Sequence, residues 1–328
     1  MILTLFKKSY LIQIAFLIGF TLIIWLPGFI QPNALTDTEL NIYSYPFFSN
    51  PLINNHFISK ALGFLLLLTE AFMLSFLFSR HKLTHSNNFL TGFLFVLFQS
   101  RTPEHLYFHS AFLAILFLLL GLKMLLENFK SYRSYNLILT ASVWFSLASL
   151  FIPSMVFLFP VIWISLILFQ SFNWRSIPIS LIGFFIPYVL IAFIYFWFDK
   201  NLLFIEHTKG IIYSLLSPLS LPKTQELIEL IVSAILILMA SSFILPRIGN
   251  QVISIRKKTT FMYWLLGLSI LISFYNTNSF TREIAYIPFA GILGFYFSSV
   301  KRPFWADLFI TLIFVSILIQ NYQILFHA

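Results

Sequence analysis

The sequence has no cysteine, and only 9% of its 328 residues are charged. Zero cysteines exclude a secreted disulfide scaffold and any thiolate metal site. A soluble domain carries about 25% charged residues, so this chain lacks the polar surface to wrap a water-facing globule. It also lacks the G-x-x-x-x-G-K-[ST] and G-x-G-x-x-G loops that cradle phosphates in nucleotide and dinucleotide sites. H-E-x-x-H and G-x-S-x-G are missing too, which removes the zinc-hydrolase and nucleophile-elbow signatures. No internal repeat and no inverted pair of broken helices occurs, which counts against a secondary transporter.

What the chain does contain is apolar: 59% of it is hydrophobic, and 42 residues are Phe. A disordered chain is excluded by that excess. Several runs reach the ~18 to 20 residues needed to cross a bilayer. The expected fold class is all-α, a polytopic transmembrane helix bundle of about 11 spans, with ten or twelve tolerable. The spans fall at roughly 9–30, 61–79, 87–100, 106–126, 137–152, 155–172, 177–198, 226–245, 260–275, 284–299 and 304–325. The whole of 1–328 reads as a single integral-membrane domain, with longer extracytoplasmic loops at 31–60 and 199–225. The third run is short enough for a half-span or a tilted helix packed inside the bundle. Pro153 splits the fifth run from the sixth. The run Leu11 to Leu26 follows Lys7 and Lys8 without a small-x-small cleavage site. It reads as an uncleaved first span that starts in the cytoplasm.

The net charge is +9, yet no basic stripe interleaved with stacking aromatics faces water. Nucleic acid is therefore not an expected partner. With the N-terminus cytoplasmic, 14 of the 20 Lys and Arg residues fall on the inner side. The outer six are Lys60, Arg101, Lys200, Lys209, Lys223 and Arg282. Acidic residues sort the other way: Asp37, Glu39, Glu104, Asp199, Glu206, Glu226 and Glu283 all fall on or near the outer face. The bias fits the positive-inside rule, and the expected location is a bacterial inner membrane. Cytoplasmic turns are short and basic, so any chemistry belongs on the outer face.

Asp37 and Glu39 follow the first span closely. Two carboxylates at that spacing can converge on one cation, or one can act as a general base. They also simply obey the charge rule. The turn Arg101-Thr102-Pro103-Glu104-His105 enters the fourth span. Pro103 predicts a helix opening there, which would set Glu104 at the positive helix end and His109 one turn beyond His105. Glu70 falls mid-span, where an ionised side chain is costly, so it should face the interior, be protonated or find a partner. Gly63, Glu70, Leu74 and Leu77 share its helical face. Near the chain's end, Arg282 lies at outer headgroup level, where a guanidinium can grip a phosphate bidentately or serve as an interface anchor. Lys60 and Arg101 are further outer cations beside span ends. In the loop 199–225, His207 beside Glu206 has no metal-ligand spacing.

Three of these features together resemble the integral-membrane glycosyltransferases of the GT-C type, which take sugars from polyprenyl-phosphate donors. They are Asp37 with Glu39 after span one, Glu104 in the next outer turn, and the run Arg282, Tyr286, Pro288 entering a late span. The resemblance covers spans one to four and ten. It implies Asp37 as general base or metal ligand, Glu104 as acceptor-orienting group or metal partner, and Arg282 as phosphate grip. It also implies a polyprenyl-phosphate-linked sugar as partner and leaves open a divalent metal ion as cofactor. The chain departs from that family in carrying Asp37-Thr38-Glu39 where an acidic pair is usual, and in having no segment for an outer soluble domain. It is also similar to a bacterial multi-pass family of unassigned function, which implies no activity.

Two further readings stand beside the transferase. One is a non-catalytic membrane subunit or scaffold of an envelope assembly complex, bound to a membrane protein partner. The other is a small-molecule or lipid transporter with a midplane cavity near Glu70. Membrane lipids are partners in every case.

Overall fold

The computed structural model describes residues 6, 10–30, 56–84, 89–101, 106–129, 135–199, 202, 205, 209, 224–275, 280–299 and 303–327. Among these there are helices and turns but no strand. We label the helices α1 (Tyr10–Ile30), α2 (His56–Arg80), α3 (Leu90–Gln99), α4 (Ser110–Glu127), α5 (Tyr135–Phe151), α6 (Pro160–Leu168), α7 (Ser176–Trp197), α8 (Thr224–Ile248), α9 (Ile253–Tyr275), α10 (Phe280–Glu283), α11 (Tyr286–Ser299) and α12 (Pro303–His327). A 3-10 segment, Pro153–Leu158, joins α5 to α6.

Each apolar run of the sequence becomes a helix because backbone groups facing hydrocarbon must bond within their own segment. Among the described residues four helices are long and apolar enough to cross a membrane: α1, α2 over Phe57–Arg80, α4 and α7. Shorter apolar helical stretches of 10–17 residues are Leu90–Gln99, Tyr135–Phe151, Pro153–Leu168, Val232–Ile248 and Asp307–Gln323. Prolines mark the joints, since Pro153 opens the 3-10 segment and Pro160 opens α6. Both sit at a first helical position, where the missing N–H costs nothing.

The chain divides into two compact units. Unit 1 comprises 1–112, 235–250 and 289–328; unit 2 comprises 113–234 and 251–288.

In unit 1, α3 is the centre. All ten of its residues are buried. At 1.5 Å rise per residue it is about 15 Å long, half the thickness of a ~30 Å hydrocarbon core. Its approach to α2 is set by Gly92, whose N–H donates to Ser75 Oγ at 3.0 Å. A Cβ on Gly92 would meet that hydroxyl and the Ala71 carbonyl oxygen. Rings fill the remaining space: Phe93 packs on Phe6 and Phe20, and Phe98 meets Phe289 edge-on at 4.6 Å. Gln13 Oε1 accepts from the Phe89 N–H at 3.1 Å, which holds the start of α3 to α1.

In unit 2, α5 packs along α7 through small residues, as helices do where lipid gives no hydrophobic drive. Ala141, Ser142, Ala148 and Ser149 on α5 and Ser176, Ser180 and Gly183 on α7 are buried. Ser149 Oγ and Tyr188 Oη share a hydrogen bond of 2.8 Å, and Trp163 Nε1 donates to Ser180 Oγ at 3.0 Å. The opposite face of α7 is apolar and exposed, with Phe185, Val189 and Phe193 each more than half accessible. That is the surface a membrane-facing helix offers to lipid.

Candidate functional site

The candidate residues divide by position. Asp37, Glu39, Glu104 and His105 lie outside the described residues. Lys60, Glu70, Arg101 and His109 belong to unit 1, and Arg282 belongs to unit 2.

Helix α2 starts at His56, so Lys60 lies inside its first turns rather than in the loop before it. Its side chain is 5% exposed. The next element was expected to open at Pro103. Instead α4 begins at Ser110, and Leu106 to His109 form a non-helical approach. His109 therefore precedes α4 and does not repeat a helical face with His105. The physical reason is the contact this approach makes with α2. The Phe108 N–H donates to the Ser59 carbonyl at 3.2 Å, and a Cβ on Gly63 would come within 3.0 Å of Phe108 N and of the Tyr107 carbonyl carbon. The Phe108 N–H is thereby spent on α2 rather than on an intrahelical carbonyl. Gly63 is what allows the approach.

The same end of unit 1 holds a buried polar group of residues. Trp25 Nε1 donates to Ser100 Oγ at 2.9 Å, and Asn321 Nδ2 donates to the Ser100 carbonyl at 3.1 Å. The Trp25 indole lies 3.1 Å from the Cβ position of Gly63. Ser100 caps the C-terminal end of α3, where unpaired carbonyls gather partial negative charge. An amide donor and a following arginine, Arg101, are the groups such an end favours. His109 is buried, its ring 4.3 Å from that of Phe112. Phe112 in turn faces Trp25 at 6.3 Å. The chain segments bearing Lys60, Arg101 and His109 are thus tied to one another through Ser59, Trp25 and Ser100.

Ser59 and Asn321 are both buried to within 1%. Among the described residues Ser59 Oγ and Asn321 Oδ1 have no hydrogen-bond partner. Buried polar atoms left this way cost free energy unless something occupies them. Two buried cationic or titratable side chains, a partly exposed arginine and the open Ser59 hydroxyl form a setting suited to an anionic group, while Asn321 Oδ1 offers an acceptor to a hydroxyl.

Glu70 is fully buried about two turns along α2 from Gly63, on the face that carries Gly63, Leu67, Ala71 and Leu74. Arg282 sits in the short helix α10, which packs on α9 within unit 2. The Arg282 carbonyl accepts from the Ala285 N–H at 3.0 Å, and Glu283 beside it is buried. Among the described residues no three His, Asp or Glu side chains group as metal ligands. The divalent-metal reading rests on Asp37 and Glu104, outside them.

Trp25, Ser59, Ser100 and Asn321 were not candidates from sequence. Asn321 carries a weaker signal, one of three amides with Gln320 and Gln323 near the end of the apolar run 304–325, where a buried polar group needs a partner. Trp25 to Phe should remove the indole donor and leave Ser100 short of a partner in a dry site. The expected cost is about 1–2 kcal/mol, read as a lowered thermal midpoint of the detergent-purified protein. An unchanged midpoint would show that the indole bond carries no weight.

Comparison with known proteins finds no matching family model, no matching curated protein and no matching solved structure.

Proposed function

We propose that the protein is a multi-pass helix-bundle protein of a bacterial inner membrane that acts on a lipid-phosphate-linked sugar at its extracytoplasmic face. The reading is that of a glycosyltransferase-like enzyme. The observation that carries it is the buried polar end of unit 1, where the segments of Lys60, Arg101 and His109 meet around Ser59, Trp25, Ser100 and Asn321. A nearly buried lysine next in sequence to a buried serine whose hydroxyl is open suits a phosphate that arrives from within the lipid layer, because charge-assisted bonds strengthen as water is excluded.

In this reading Lys60 and Arg101 hold the lipid phosphate, and Arg282, which belongs to unit 2, is given no part in it. Asp37, with Glu39 beside it, deprotonates an acceptor hydroxyl. Glu104 orients the acceptor, with His105 beside it, or shares a divalent metal ion with Asp37. Oxygen attack at the sugar's anomeric carbon then expels the polyprenyl phosphate, whose negative charge the cations stabilise.

The test is replacement of Asp37 by Asn and Glu104 by Gln, separately, in the native host with protein levels matched. Each variant is expected to lose the surface glycan that the parent supports, by a factor of about a hundred or more. Full glycan synthesis in both variants would overturn the catalytic reading. If a fixed membrane partner then copurifies, the chain is a non-catalytic subunit instead.

A further inference from the structure

The opposite sorting of charge leaves a second feature that the transferase reading does not use. In unit 2 the end of α4, the turn between α6 and α7, and the start of α9 meet in one aromatic stack. Phe169 packs on Phe129 and on Phe261, each with ring centroids 5.5 Å apart. Lys258 sets its ammonium 5.3 Å from the Phe129 ring. The turn itself is pinned at two points. Asn128 Nδ2 donates to Ser171 Oγ at 3.2 Å, and Asn173 Nδ2 donates to Tyr135 Oη at 3.2 Å.

From this fixed platform the turn projects two bare aromatic side chains, Phe172 at 50% and Trp174 at 70% exposure. Arg175 is exposed and holds its guanidinium 5.5 Å from the Trp174 ring. On α9, Arg256 is exposed and Lys257 half-buried. Glu127 is the acidic side chain among the described residues here. The charge rule assigns this end to the cytoplasm.

Aromatic side chains held at a membrane rim sink to headgroup depth, and cations beside them meet the phosphates at that level. A lone Trp would be an anchor only. Here a stacked Arg-Trp pair sits on a rigid turn, with two further cations on the neighbouring helix. We propose that this end of unit 2 is a binding site for anionic phospholipid headgroups of the cytoplasmic leaflet, with Arg175, Arg256 and Lys257 contacting the headgroup and Trp174 and Phe172 seated among the glycerol backbones. The site is independent of the transferase reading, drawing on none of its residues.

The experiment reconstitutes the full chain in nanodiscs of phosphatidylcholine mixed with phosphatidylglycerol and counts the lipids retained on release by native mass spectrometry. The parent protein should retain phosphatidylglycerol over phosphatidylcholine, less so at high salt as screening predicts. The triple variant Arg175→Gln, Arg256→Gln, Lys257→Gln should lose that preference about a hundredfold, from three near-surface cations removed. The charge-preserving set Arg175→Lys, Arg256→Lys, Lys257→Arg should keep it. Equal retention of the two lipids by the parent overturns the proposal without any variant. So does an undiminished preference in the Gln variant, or an equal loss in both variants.

Discussion

Gly92→Leu is expected to eliminate the folded protein. A Cβ at this position would lie 2.5 Å from the Ala71 carbonyl oxygen and would collide with Ser75 Oγ. The hydroxyl can rotate, at the loss of its bond to the Gly92 N–H. The carbonyl cannot move, because it belongs to the backbone of α2. Nor can α3 retreat, since every one of its residues is already buried and Thr91 lies against the Cβ position of Gly294 on its other side. Overpacking of this kind costs about 3 kcal/mol or more where backbone must shift, against a total stability of about 5–15 kcal/mol. Fluorescence-detected size-exclusion chromatography of a fluorescent fusion should show the monodisperse peak replaced by aggregate. Gly19→Ala is the control. Nothing lies within 4 Å of its Cβ position, so the variant should run as the parent does and gain up to about 1 kcal/mol of helix propensity. A normal peak for Gly92→Leu would refute the close packing of α2 on α3.

That packing matters for function because it fixes where α3 stops. A helix of about 15 Å ends partway through a hydrocarbon layer of ~30 Å. Its terminal carbonyls then need partners supplied by protein, as irregular backbone at membrane depth does. Asn321 supplies one such bond, to the Ser100 carbonyl, and Trp25 donates to the Ser100 hydroxyl beside it. The polar end of unit 1 is therefore a consequence of a short helix, and the burial of that short helix relies on Gly92 and Gly294 along its contacts, with Gly291 seating α11 against α2. Gly291 and Gly294 lie on α11, where a Cβ would meet the Phe78 ring and Thr91 respectively.

Much of the helix layout was legible in the sequence. The run 9–30 becomes Tyr10–Ile30, 177–198 becomes Ser176–Trp197 and 304–325 becomes Pro303–His327, because apolar length alone decides where a chain must bond to itself in lipid. The short third run is packed inside unit 1, as one of its two readings expected. Two boundaries were not legible. The sixth run, 155–172, is a 3-10 segment followed by the nine residues of α6, since Pro160 takes the first position of a new helix. The fourth helix opens at Ser110 and not near Pro103, because the backbone of Tyr107 and Phe108 is drawn across Gly63 by a tertiary contact that no local propensity encodes. The site was legible in its charges and illegible in its neutral lining. Lys60 and Arg101 stand out against apolar surroundings, whereas Trp25, Ser59 and Ser100 look like ordinary span residues until the contacts are known.

Lys60→Gln should leave the fold intact and weaken the binding of a phosphate-bearing lipid about tenfold to a hundredfold. The estimate follows from one hydrogen bond to a charged group, about 1.5–3 kcal/mol. The variant shortens the side chain by one atom, keeps it polar and unbranched, and removes a cation that is 5% exposed. Arg101→Gln, at a half-exposed position, should have a smaller effect in the same direction. The decisive measurement is a titration of the detergent-purified parent and the Lys60→Gln variant with a long-chain polyprenyl phosphate, alongside the uncharged polyprenol. The account predicts saturable binding of the phosphate by the parent, markedly weaker binding by the variant, and little binding of the alcohol by either. Equal affinity of the parent for phosphate and alcohol, or equal affinity of parent and variant for the phosphate, would contradict it.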